Sequence, residues 1–83
     1  MERSISVIDV RGKCCPRYII EAKWALDHCR PGAAVRVLAT DPDFPRDFAV
    51  FCRQTGNQII ESSASSNEFA FVVKKGGGKQ LAA

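Results

Sequence analysis

Two β-branched runs, each leading into a helical pattern with a proline at its opening, leave this chain few folds to choose from. Ile5 to Val10 is a short apolar strand that ends at Gly12. Pro16 then opens a helix running to about His28, because proline's missing N–H would have no intrahelical partner in a first turn. Tyr18, Ala22, Ala25, Leu26 and Cys29 fall on one face of that helix, the spacing of a buried stripe. Arg30-Pro31-Gly32 stops it. A second strand runs from Ala34 to Thr40, with Val35, Val37 and Ala39 on one face. Pro45 fits only inside a first turn, which puts the second N-cap near Asp43 or Phe44. Phe48, Phe51, Cys52 and Thr55 form that helix's apolar stripe, the face expected to hold the core, and Gly56 ends it.

Asn57 to Glu61 and Phe69 to Lys74 read as two further strands, with the polar stretch Ser62 to Asn67 as a loop between them. The order β-α-β-α-β-β, with right-handed crossovers, places both helices on one face of a four-stranded mixed sheet. The expected fold is therefore a two-layer α/β sandwich of the α+β kind. One domain should span residues 1–75, and the glycine-rich residues 76–83 should form a flexible tail.

The contents of that domain limit its chemistry. With 83 residues there is one modest core, too small to enclose a large substrate or a big cofactor, and no cofactor is expected. No apolar run approaches the ~18 residues of a membrane span, and Met1-Glu2-Arg3-Ser4 opens no signal peptide, so a cytoplasmic setting without membrane attachment is expected. The four cysteines, Cys14, Cys15, Cys29 and Cys52, should then be thiols. The net charge of +3 comes from Lys74, Lys75 and Lys79 near the C-terminus; without them, nine cations balance nine anions. A neutral body argues against nucleic-acid binding through clustered phosphate contacts.

Cys15-Pro16 carries the chemistry. With Pro16 at the first helical position, Cys15 is expected at the N-cap, beside free backbone N–H groups and the positive end of the helix dipole. Arg11, Lys13 and Arg17 add positive charge nearby and favour the thiolate or a persulfide. Cys29 and Cys52 lie on apolar stripes and read as small core hydrophobes. No pair of C-x₂-C spacings is present, so no metal site is expected. A disulfide between Cys14 and Cys15 is opposed by geometry: adjacent Cα atoms are ~3.8 Å apart, and disulfides usually need ~4.4–6.8 Å. The one histidine, His28, lies about 18 Å from Cys15 along the helix at 1.5 Å per residue, too far to act as a base. An activated thiol without base or pocket suits a carrier that accepts a sulfur atom and passes it on.

The chain resembles the TusA-like (SirA-like) sulfur carriers. The matching residues are Asp9-x-Arg11-Gly12-x-x-Cys15-Pro16, Ala22, Ala25-Leu26, Pro31-Gly32, Thr40-Asp41-Pro42, Asp47, Phe51-Cys52-Arg53 and Thr55-Gly56, with the closing strand through Phe71. The resemblance implies a persulfide on Cys15, supplied by a cysteine desulfurase or rhodanese-like donor and delivered to an acceptor protein. Family destinations are tRNA thiolation, molybdenum-cofactor enzymes and sulfur oxidation. It implies a sulfurtransferase-type carrier that catalyses little alone, with Asp9, Gly12, Pro16 and Asp41 shaping the motif. Tyr18 stands where the family has a second motif proline, and Lys13 where an aliphatic residue is common. Two other readings stay open: a thiol redox or sensor module using Cys15 with Cys14, and a regulatory or RNA-binding domain. Ile20 and Trp24 project opposite the core stripe of the first helix, so they are expected to form part of a partner-docking surface.

Overall fold

The structure, a computed structural model, describes residues 6–76. Its elements are β1 (Ser6–Asp9), α1 (Arg17–Asp27), β2 (Ala34–Ala39), α2 (Phe44–Thr55), β3 (Gln58–Ser65) and β4 (Glu68–Lys74). The sheet order is β1-β2-β4-β3; β1 runs parallel to β2, and β4 pairs antiparallel with both β2 and β3. This is the four-stranded mixed sheet expected from the sequence.

The core shows why both helices share one face. Val35 and Val37 of β2 pair in register with Val73 and Phe71 of β4, and successive strand residues alternate between faces. These four side chains join Tyr18, Ala22 and Leu26 of α1 with Phe44, Phe48 and Cys52 of α2 in one buried cluster. Phe44 is its aromatic centre, stacked on Phe48 at 4.9 Å and meeting Tyr18 and Phe71 edge-on at 5.2 and 5.4 Å. Phe51, expected as a core residue of α2, is only half-buried at the edge of this cluster. Phe44, just before Pro45, takes the central place instead. Helical spacing puts Phe44, Phe48 and Phe51 on one side of α2, and where β2 and β4 run beneath the helix decides which of them is covered. Phe51 is left at the rim, packed on Phe48 with ring centroids 5.7 Å apart.

Local signals set the helix ends. The Asp41 carbonyl accepts from the Phe44 N–H at 2.9 Å, and Asp41 Oδ1 accepts from the Asp43 N–H at 2.8 Å, a turn that launches α2 from Asp43 as its N-cap. Gly56, at φ 78°, closes the helix in the left-handed conformation open to glycine. The last turn of α1 gains a cation from far along the chain: Lys75 Nζ donates to the Leu26 carbonyl at 2.6 Å.

The hairpin is longer than the sequence suggests. Ser62 to Ser65, expected as loop, continue β3, and only Ser66 and Asn67 make the turn, both with positive φ. The serine run has no apolar alternation to betray a strand, because β3 is an edge strand exposed on both faces there. Its order comes from backbone pairing with Glu68 to Phe71. An irregularity between Ile59 and Glu61 leaves Ile60 exposed. Gly76 is held to the body by its N–H, which donates to Asn57 Oδ1 at 2.9 Å; the expected tail beyond it, and Ile5 of the first strand, lie outside the described residues.

Candidate functional site

The loops that follow β1 and β2 leave the sheet at the same end, because the two strands are parallel neighbours. Gly12 turns the first loop at φ 81°, a region in which L side chains are strained. Its N–H donates to Thr40 Oγ1 at 2.8 Å, which fastens the loop to the end of β2. The Lys13 N–H returns to the Val10 carbonyl at 3.1 Å. Cys14 and Cys15 are thereby held out to solvent on a braced turn.

The start of α1 differs from expectation in one respect. The Cys14 carbonyl accepts from Arg17 and Tyr18 N–H groups at 2.8 and 3.4 Å, and the Pro16 carbonyl accepts from Ile19 and Ile20, each at 3.0 Å. Pro16, joined to Cys15 by a cis peptide, is therefore the N-cap, and Cys15 lies one residue farther out. The turn closed by the Cys14 carbonyl delays the helix by a residue and occupies first-turn amides that would otherwise be free. Cys15 still lies next to the positive end of the helix.

Two of the neighbouring cations, Arg11 and Lys13, have carboxylate partners. Arg11 forks onto Asp9, with Nε to Oδ1 at 2.9 Å and Nη2 to Oδ2 at 2.8 Å, and the Arg11 N–H adds a bond to Oδ1 at 3.1 Å. These hydrogen bonds hold the Asp9 carboxyl down at about 2. Glu68, at the start of β4, comes within 3.6 Å of the same guanidinium. Lys13 Nζ lies 2.8 Å from Glu21 Oε2. Arg17 is exposed beside the thiol turn. Asp9 and Asp41 thus each brace a loop, one through Arg11 and the other through the turn into α2.

Beside the thiol lies a feature the sequence reading missed. Cys15, Ile19, Val50 and Phe51, with Asp47, line an open cleft of about 350 Å³ between the two helices. Its walls are mostly apolar, and Val50 is an exposed aliphatic side chain. The signal was present in part, since Phe51 and Asp47 belong to the residues that carry the resemblance; their convergence on Cys15 needed α1 and α2 to be set side by side. Ile20 and Trp24 are exposed, at 60% and 66%, as expected from the helical wheel. Trp24 stacks on His28 with ring centroids 4.1 Å apart, and it borders a different groove, against Val7 and Asp9 of β1.

Cys29 and Cys52 lie away from this loop, packed with the core. Cys52 is buried, and desolvation pushes its ionisation up to about 12. Cys29 Sγ donates to the Ala25 carbonyl at 3.3 Å. Among the described residues no group of three or more His, Cys, Asp or Glu side chains comes together to hold a metal, and no helix is long and apolar enough to cross a membrane.

Comparison with known proteins finds relatives of this sequence. A family model described as sulfurtransferase TusA matches residues 6–75. A sulfur carrier protein TusA from Allochromatium vinosum is 40% identical over 68 residues, covering 82% of this chain and 90% of the relative. A sulfur carrier protein TusA from Pseudomonas paraeruginosa is 26% identical over 70 residues, covering 84% of this chain and 89% of the relative.

Proposed function

The chain belongs to the TusA sulfurtransferase family, and on that premise we propose that it is a sulfur carrier whose Cys15 holds the cargo as a persulfide. The exposed Cys15 thiol on a braced loop at the start of α1 carries this reading. In the loading step the Cys15 thiolate attacks the outer sulfur of a donor persulfide. One S–S bond forms on Cys15 as the donor's breaks, and the donor leaves as a thiolate, so no net oxidant is needed. Delivery is the same exchange in reverse, onto an acceptor protein's cysteine.

Arg11, Lys13 and Arg17 supply positive potential around the loop, Arg11 and Lys13 as members of ion pairs and Arg17 from an exposed position. Asp9, Gly12, Pro16 and Asp41 shape the loop and its surroundings. A cysteine desulfurase or a rhodanese-like protein fits as the donor, and tRNA thiolation, molybdenum-cofactor enzymes and sulfur oxidation are the candidate destinations. The domain proposed to do this is residues 1–75, working in the cytoplasm, where thiols stay reduced. The test is incubation with a persulfide donor followed by intact mass spectrometry. A gain of one sulfur atom that is removed by a reductant is expected; loss of two hydrogens without sulfur uptake would instead favour a redox module that pairs Cys15 with Cys14.

Ile20 and Trp24 are proposed as part of the surface that meets a partner. Tryptophan is enriched at interface hot spots, and Trp24 contributes little to the core. Trp24→Ala should slow protein-to-protein sulfur transfer by about 10-fold or more, the cost of a 1.4 kcal/mol contact. It should shift unfolding by no more than about 0.5 kcal/mol. An unchanged transfer rate would return Trp24 to an ordinary exposed side chain.

A further inference from the structure

Among the described residues Tyr18 is the one large side chain with a polar group drawn wholly into the core. It is 0% exposed, in the first turn of α1, with its ring edge-on to Phe44. Its hydroxyl donates to Asp47 Oδ2 at 2.6 Å, a short charge-assisted bond across the two helices. A buried phenol needs such a partner, because an unsatisfied hydroxyl bears the full cost of desolvation. Burial and the facing carboxylate both push the ionisation of Tyr18 upward, so it remains a donor throughout the neutral range.

Asp47 has a second position in the geometry. It sits in the first turn of α2 and lines the same cleft as Cys15, Ile19, Val50 and Phe51. Its other oxygen, Oδ1, lies 3.9 Å from Arg46 Nε. The Tyr18–Asp47 bond therefore joins the opening turns of α1 and α2 at the cleft beside the sulfur. The bond from Gly12 to Thr40 fastens the loops, but not the helices.

We propose that Tyr18 and Asp47 are positioning residues for sulfur transfer at Cys15, their hydrogen bond fixing the cleft wall of α2 against the turn that presents the thiol. This rests on the carrier reading. Neither residue touches the transferred sulfur in the proposed reaction. Their effect is on the angle at which a partner's cysteine, guided by the cleft, approaches the Cys15 persulfide. Displaced approach geometry can cost orders of magnitude in rate. A small-molecule persulfide needs no cleft and should be indifferent to it.

Tyr18→Phe keeps the ring and removes only the donor. Two readouts are taken on parent, Tyr18→Phe, Asp47→Ala, Asp47→Asn and the double variant Tyr18→Phe/Asp47→Ala. The first is amide hydrogen exchange, which does not depend on sulfur chemistry. Faster exchange confined to the opening turns of α1 and α2, with β2 and β4 unchanged, is expected for Tyr18→Phe and Asp47→Ala. The second is the saturating rate of protein-to-protein sulfur transfer. It should fall about 10-fold in each of those variants and no further in the double one, because one shared bond is lost. Asn accepts the same hydrogen bond, so Asp47→Asn should keep both readouts near the parent. Loading by a small-molecule persulfide should change less than about 2-fold, well within the effect of one lost contact.

Exchange at both helix openings equal to the parent's would overturn the proposal, as would uniform acceleration across the strands, or losses that multiply in the double variant. A parent protein that takes up no sulfur would overturn the carrier reading instead. In that event the hydrogen-exchange pattern alone still decides whether the pair fixes the cleft.

Discussion

Cys15→Ser is expected to take up no sulfur at all from a persulfide donor, while Cys14→Ser loads to the parent level. The two thiols are adjacent and both exposed, so exposure does not separate them. Their surroundings do. Cys15 lines the apolar cleft between the helices, and it directly precedes the N-cap residue, Pro16. The Cys14 backbone carbonyl is instead committed to the first amides of α1. A serine at position 14 leaves that carbonyl in place, so the helix start and the presentation of Cys15 should survive the substitution. Intact mass after loading, with peptide mapping to locate the added sulfur, decides the matter. Sulfur on Cys14 in the parent, or loading lost in Cys14→Ser and kept in Cys15→Ser, would reverse the assignment. A parent that forms a Cys14–Cys15 disulfide in preference to a persulfide would move the protein to the redox reading.

The second large effect is on stability. Phe48→Ala should cost about 3–5 kcal/mol, the usual range for an aromatic side chain removed from a core. Phe48 is fully buried; it stacks on Phe44 at 4.9 Å and meets Phe71 edge-on at 5.7 Å. A domain of this size holds about 4–12 kcal/mol in total, so the variant should sit near the threshold of folding. Urea unfolding monitored by circular dichroism measures the loss. Phe51→Ala is the informative comparison. Phe51 touches Phe48 at 5.7 Å, but it is half-buried and lines the cleft. Its truncation should cost about 1–2 kcal/mol, in the common range for point variants. Equal losses at the two positions would mean that α2 is rotated from the orientation described.

The comparison of Phe48 with Phe51 marks where sequence periodicity stops being informative. Both fall on the apolar stripe of α2, and a helical wheel separates them by only a modest angle. Which one enters the core depends on where β2 and β4 lie beneath the helix, and that is set by pairing between strands more than thirty residues apart, such as Val37 with Phe71. The hairpin carries the same lesson. Ser62 to Ser65 have no apolar pattern, yet they are strand because β4 offers its backbone groups to them.

The local grammar of the chain determined a good deal by itself. Pro45 with Asp43, and Gly56, mark the ends of α2 through constraints on one or two residues. The stripe Tyr18, Ala22, Ala25, Leu26 reports the buried face of α1, because every position on it is a few residues from the next. The exposed thiol at the end of a strand-to-helix loop follows from Gly12 and Pro16. Tertiary structure alone decided what each side chain meets. Arg11 and Lys13 read as cations around a thiol, and their partners Asp9 and Glu21 were visible but unassignable until the loop was folded. Tyr18 read as one more apolar stripe residue, and only the approach of α2 supplied Asp47 to its hydroxyl. The physical reason is one of range. Dihedral preferences and helical spacing act within a turn or two of chain. A hydrogen bond or an ion pair across the core is chosen among all groups the fold brings near, and distance in sequence carries no record of that choice.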